Sequence, residues 1–199
     1  MCGTRARAGA PVARRAPVSH RRKATLLRTT LPGVTTPEPR DVRPLTDDGE
    51  VAPWAGTRDL LGAGDTFWLA TVRGDGAPHL VPVLAVLVDG RLFLAAGGGT
   101  RKAADLARDA RCVLATNADG ADVVVEGTVA KVGDEDVLRR VAAAYLEKYS
   151  WDVEIRDGAF QAEGAPTAGP PPYDVYEVRP ATAFAFATGG PSASTRYAF

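Results

Sequence analysis

Two cysteines, two histidines and one methionine are all that this 199-residue chain holds of those three residue types. Cys2 lies in a basic stretch and Cys112 in the apolar run Arg111-Cys112-Val113-Leu114. No disulfide framework is indicated, and a reducing, cytoplasmic setting is expected. Two distant cysteines and two distant histidines, His20 and His79, cannot assemble a metal centre, so no metal is expected. A Ser-His-Asp or Cys-His hydrolase would have to use His79, and no nucleophile-elbow sequence accompanies it. Apolar runs fall short of the roughly 20 residues that a membrane span needs, so no membrane partner is expected. Only Ala24 to Leu27 separate Arg21-Arg22-Lys23 from Arg28, which leaves no apolar core for an export signal. The P-loop pattern G-x-x-x-x-G-K-[ST] is missing. Gly62-Ala63-Gly64 precedes a predicted strand, whereas a dinucleotide fingerprint follows one.

Net charge is also missing, but only on average. Residues 1–44 hold ten Lys/Arg against Glu38 and Asp41, and the rest of the chain carries the balancing excess of acid. Residues 1–56 are rich in Arg, Pro, Gly and Thr with little periodicity, and read as a basic, disordered tail. No aromatic precedes Trp54, so this tail offers bases no stacking platform and nucleic acid is not the expected partner.

Residues 57–199 read as one domain. Thr57 is expected to cap a short helix through Leu61. Strands are expected at Phe67–Val72, Pro78–Val88, Arg91–Ala96, Arg111–Thr116 and Asp122–Val132, with hairpin turns at Gly74-Asp75-Gly76, Asp89-Gly90 and Asn117–Gly120. Asp134-Glu135-Asp136 opens a longer helix whose apolar positions Val137, Leu138, Val141, Tyr145 and Tyr149 follow helical spacing. Residues 150–172 read as a Gly/Pro-rich loop. Two closing strands, Tyr173–Val178 and Thr182–Ala187, flank Arg179-Pro180, and a polar tail ends in Thr195-Arg196-Tyr197-Ala198-Phe199. The fold class is α+β, mainly β: an antiparallel barrel with two or three peripheral helices.

The stretch with most chemical content is Leu92-Phe93-Leu94-Ala95-Ala96-Gly97-Gly98-Gly99-Thr100-Arg101-Lys102. An apolar strand turns through three glycines into a helix whose first turn carries two cations. Cations there oppose the helix dipole by about 0.3–1 kcal/mol each unless an anion joins them. Two readings fit this stretch: a phosphate seat made by unpaired backbone N–H groups beside Arg101 and Lys102, or a solvated helix start.

Several segments in order extend the first reading: Asp75-Gly76-Ala77-Pro78-His79-Leu80-Val81-Pro82-Val83, Asp89–Leu94, Thr100–Leu106 and Val123-Val124-Val125-Glu126-Gly127-Thr128-Val129. Together they resemble the pyridoxamine 5′-phosphate oxidase-like superfamily, the flavin- and deazaflavin-binding split barrels. The ending Thr195–Phe199 is similar to the Thr-Arg-Trp-Arg-Phe tail of one branch.

The resemblance implies a split-barrel homodimer with FMN or F420 at the subunit interface, acting as an oxidoreductase that moves a hydride to or from a small planar substrate. It places the cofactor phosphate on Thr100, Arg101 and Lys102 and at the strand end Ala95, Ala96 and Gly97. It places the ring against the backbone of Val81, Pro82 and Val83. No catalytic side chain is assigned, because the cofactor carries the chemistry. Small residues at 95–99 leave room for a longer ligand, and Lys102, Arg108 and Arg111 supply a basic exit for the anionic tail of F420.

The alternative within the fold is a non-catalytic carrier or haem- or flavin-binding protein. Pyridoxal phosphate synthesis is less favoured, because no Arg-Leu-His-x-Arg segment occurs. Asp122 stands where those enzymes have Gln, and Ala95-Ala96 where they have Tyr-Thr. A lone His79 beside proline, Trp151 in the long loop and Arg196 in the tail are secondary candidates, each also compatible with plain packing.

Overall fold

The structure is a computed structural model and describes residues 36–47, 49–163, 165, 168–187 and 194–199. The expectation of a disordered tail over residues 1–35 lies outside the described residues. Within them, eleven strands and three helices follow in the order β1 Asp41–Pro44, α1 Trp54–Ala63, β2 Phe67–Val72, β3 Pro78–Val83, β4 Ala85–Val88, β5 Arg91–Gly97, α2 Arg101–Arg108, β6 Arg111–Ala118, β7 Ala121–Lys131, α3 Glu135–Tyr149, β8 Glu154–Arg156, β9 Ala159–Gln161, β10 Tyr173–Ala187 and β11 Thr195–Ala198.

Every strand pairing is antiparallel, and the main path runs β1-β11-β10-β7-β6-β2-β3. Strand β10 is the hub. Its first half pairs with β5, its second half with β11, and β7 runs along both. The mainly-β split barrel expected from the sequence is therefore the observed architecture.

Tight turns set the registers. Asp89-Gly90, Asp119-Gly120 and Asp157-Gly158 all have positive φ at both residues. Two consecutive left-handed residues match the twist of the flanking strands, which is why Asp-Gly recurs there. The third of these turns joins β8 to β9 inside the segment expected to be loop.

Strand β5 is buried on both faces. Leu92, Leu94 and Ala96 belong to the barrel core with Phe67, Leu69, Leu114, Val125 and Tyr197. Phe93 and Ala95 face a second core, beneath α3, with Leu138, Val141, Tyr145, Phe160 and Tyr173. Asp134 caps α3, its Oδ1 accepting from the Val137 N–H at 3.0 Å, and Ser150 ends it in the left-handed region at φ 54°.

Five expectations are corrected. The span Pro78–Val88 is two strands, because the chain leaves β2 after Val83 and joins β5 from Ala85. Helix α3 covers that break: Tyr145 Oη donates to the Leu84 carbonyl at 3.0 Å, and Lys148 Nζ and Tyr149 Oη donate to the Ala85 carbonyl at 3.1 and 2.9 Å. The two closing strands are one, β10, with a register shift between Pro180 and Thr182. Proline lacks a ladder donor, so the bulge falls there. Opposite it, a Cβ on Gly127 would stand 2.0 Å from the Arg179 carbonyl oxygen.

Helix α1 starts at Trp54, three residues before the expected cap, and Thr57 is buried inside it. Finally, residues 41–44, expected to be disordered, form β1 against β11. Asp-Val-Arg-Pro has no strand pattern of its own; the free edge of β11 determines its conformation. The polar ending is likewise a strand, with Tyr197 fully buried.

Candidate functional site

Helix α2 begins where the phosphate seat is expected. Thr100 Oγ1 donates to the Gly97 carbonyl at 2.8 Å and accepts from the Ala103 N–H at 3.4 Å. The Thr100 N–H also reaches the Gly97 carbonyl, at 3.0 Å. Thr100 therefore closes the glycine turn and caps the helix with one side chain. Among the described residues, the N–H groups of Gly98, Gly99 and Arg101 have no hydrogen-bond acceptor. No acidic residue occupies the first turn of α2. Arg101 is exposed, whereas Lys102 is buried and burial pushes its ammonium pKa down.

Gly97 has a different role from its neighbours. Its N–H donates to the Ala168 carbonyl at 2.7 Å. A Cβ on it would lie 2.4 Å from the Pro170 oxygen and 2.6 Å from the Ala168 oxygen. The missing side chain makes room for the chain's own loop. Gly98 and Gly99 would meet nothing within 4 Å. The open part of the turn is thus Gly98 and Gly99. Ala95 and Ala96 send their side chains into the two cores, so neither adds room for a ligand.

Val81, Pro82 and Val83 lie on β3, an end strand of the main path that among the described residues pairs only with β2. The turn bond from the Arg73 N–H to the Ala77 carbonyl sets the phase of this ladder. The alternation then turns the backbone groups of His79, Val81 and Val83 toward β2 and those of Leu80 and Pro82 outward. Pro78 and Pro82 fall where the ladder needs no donor. Val83 is buried in the barrel core with Ala96, Ala103 and Leu106, and Val81 packs against it. On the other face Trp68 and Leu80 stand 48% and 60% exposed beside Pro82.

The glycine turn before α2 and strand β3 are joined by a polar cluster. Asp105, one turn into α2 and buried, accepts at Oδ2 from Thr71 Oγ1 at 3.0 Å and from His79 Nδ1 at 3.1 Å. Thr71 and His79 are direct partners across β2 and β3, and Thr71 Oγ1 lies 3.4 Å from His79 Nδ1. Sequence reasoning named His79 but missed Thr71 and Asp105. The available signal was an aspartate on the same helical face as Ala103 and Leu106, where a charge requires a partner.

The secondary candidates resolve into packing. Asp122 is exposed and accepts from Asn117 Nδ2 at 2.8 Å across its hairpin. Trp151 packs edge-on against Tyr145 and Tyr173 at 5.1 and 5.3 Å. Arg111 hydrogen-bonds Asp109, with a closest approach of 2.7 Å, and holds that carboxyl down at about 2. Arg108 donates to the Val72 carbonyl. The basic exit expected from Lys102, Arg108 and Arg111 is therefore largely engaged within the chain itself. Arg196 pairs through β11 with both β1 and β10.

A family model described as pyridoxamine 5′-phosphate oxidase matches residues 55–187. The chain belongs to this family. Solved structures share the fold of this oxidase family member at low identity. A conserved hypothetical protein from Mycobacterium tuberculosis has a TM-score of 0.55 at 23% identity, over 69% of this chain and 86% of its own. A haem-binding protein from Mycobacterium smegmatis has a TM-score of 0.56 at 19% identity, over 73% and 59%. A NimC/NimA family protein from Clostridium acetobutylicum has a TM-score of 0.52 at 15% identity, over 72% and 94%. No curated protein matches the sequence. The family match runs from the second residue of α1 to the end of β10, and so includes both the glycine turn before α2 and β3.

Proposed function

We propose that this protein is an oxidoreductase using FMN or F420, with the cofactor phosphate at the Thr100-capped turn. The observation that carries this reading is the turn itself. Three backbone N–H groups without acceptors, those of Gly98, Gly99 and Arg101, stand at a helix start that carries Arg101 and Lys102 and no acid in its first turn. That donor set fits a phosphate. The exposed Arg101 would pair with its oxygens, each charge-assisted bond contributing about 1.5–3 kcal/mol. The outward backbone of Leu80 and Pro82 offers carbonyl groups to the polar edge of a flat ring.

The bound cofactor supplies the hydride chemistry, and the protein binds and orients it. The substrate would be a small, planar, reducible molecule. The exposed apolar face formed by Trp68, Leu80 and Pro82 supports association with a second copy, which would complete the site. A haem-binding or carrier role is the alternative, because one neighbour of the same fold is described as haem-binding. Among the described residues His79 is the one histidine, and Asp105 already holds its Nδ1.

Titration of the purified protein with FMN, F420 and haem, read by fluorescence quenching and Soret absorbance, tests the proposal. FMN or F420 should bind with Kd below about 100 μM, and Arg101→Ala should weaken it about tenfold or more. Arg101 is exposed, so its removal should leave the melting temperature in place. Haem binding alone would favour the alternative. Size-exclusion chromatography with light scattering tests the dimer.

A further inference from the structure

We propose that Thr71, His79 and Asp105 are positioning residues that set the phosphate turn at a fixed place relative to strand β3. The proposal rests on reading Gly98 to Lys102 as the phosphate seat, and adds what holds that seat in position.

Helix α2 has only eight residues, and its buried face is Lys102, Ala103, Asp105 and Leu106. Two of those four are charged. The apolar anchorage of the helix is thus one alanine and one leucine, which hold it down but do not fix its rotation or slide. Hydrogen bonds are directional and can do so. Asp105 Oδ2 receives two donors, Thr71 Oγ1 and His79 Nδ1, from neighbouring strands. A second polar tie runs from Arg108 to the Val72 carbonyl, one turn further along the helix.

A carboxylate only accepts, so the proton of this contact sits on His79 Nδ1. Burying a carboxylate is costly unless its lone pairs are met, and here both donors come from the β2–β3 hairpin. His79 is two residues before Val81, on the same face of β3. Asp105 is three residues after Lys102, on the same face of α2. The cluster therefore links the two ends of one site: the turn that takes the phosphate and the strand whose edge faces the ring. A shift of α2 by a fraction of an ångström would misplace the Gly98, Gly99 and Arg101 N–H groups while leaving the ring strand intact.

The test compares ligands with and without the phosphate: FMN against riboflavin, or F420 against its phosphate-free chromophore. Wild type should prefer the phosphorylated ligand. Asp105→Ala should weaken FMN binding by about tenfold and leave riboflavin within about twofold, and Asp105→Asn, which keeps an acceptor oxygen, should restore most of the difference. Thr71→Val keeps the shape and removes one donor; it gives a smaller loss of the same kind and serves if Asp105→Ala does not fold. Equal losses for both ligands, or no loss, would reduce the cluster to ordinary stabilisation and overturn the proposal. A wild type without phosphate preference would overturn the phosphate seat and the positioning role together. A readout free of ligand is the His79 tautomer by nitrogen NMR: an Nδ1-protonated ring is expected, and a neutral ring protonated only on Nε2 rules the contact out.

Discussion

The Tyr197 hydroxyl lies 2.7 Å from Thr57 Oγ1 and 2.8 Å from the Ala52 carbonyl oxygen, tying the last strand to the first helix. Tyr197 donates to the carbonyl and accepts from the threonine, so both partners are satisfied by one buried oxygen. Tyr197→Phe strips both. It should cost about 1–3 kcal/mol, because Thr57 is left buried without its acceptor. In urea the midpoint should fall with the slope unchanged. Trp54, whose ring centroid is 5.1 Å from that of Tyr197, is a natural fluorescence probe.

Gly97 and Gly98 should respond oppositely to alanine. At Gly97 the new Cβ meets two carbonyl oxygens of the backbone, which have no flexible end to move aside. Gly97→Ala should push residues 168–170 away from β5 and lower the melting temperature by several degrees, as a loss of about 1–3 kcal/mol does in a domain of this size. Gly98→Ala enters open space and leaves stability unchanged or slightly higher. Differential scanning fluorimetry on the pair checks this directly.

Cys112 should be inert. It is buried, and burial pushes its thiol up to about 11, so the thiolate that would react is scarce at neutral pH. Iodoacetamide at pH ~8 should leave Cys112 unmodified in the native protein and label it fully in denaturant, as read by peptide mass spectrometry. Rapid native labelling would mean that β6 opens or that the barrel core is not closed around it.

Much of this architecture was legible in the sequence, and the failures share a physical cause. Where local chemistry decides, as at the Asp89-Gly90 turn or the Asp134 cap of α3, the residues announce the element. Asp157-Gly158 carried the same signal, but flanking strands of three residues each were too short to show alternation. Strand β1 and the residues of β11 were missed because their pairing is long-range: Asp41 meets Ala198. In the site, Thr100, Arg101 and Lys102 were visible because a capped, cationic helix start is a local pattern. Thr71 and Asp105 are 34 residues apart and meet only through the fold. That Ala95 and Ala96 send their side chains into two separate cores was not legible, because nothing local says that β5 is covered on both faces.

Lys148 predicts how stability depends on pH. Its Nζ donates to the Ala85 carbonyl at 3.1 Å and lies 5.1 Å from the ring centroids of both Phe67 and Tyr149. Burial lowers its pKa to about 8, and burial raises that of the neighbouring Tyr149 hydroxyl to about 12. In the unfolded chain the lysine titrates near ~10.4 and the tyrosine near ~10. Between about pH 8 and 10 the unfolded chain therefore binds more protons at Lys148, and stability rises with pH. Above about pH 10 Tyr149 reverses the sign, because the folded state keeps a proton that the unfolded state gives up. Burial pushes the Tyr145 hydroxyl in the same direction. Urea midpoints should thus rise from about pH 8 and turn down beyond about pH 10. Lys148→Met should abolish the rise and keep the fall. A variant that retains the rise would place its origin elsewhere in the chain, and a wild-type profile that is flat up to pH ~10 would mean that Lys148 stays protonated against the two rings.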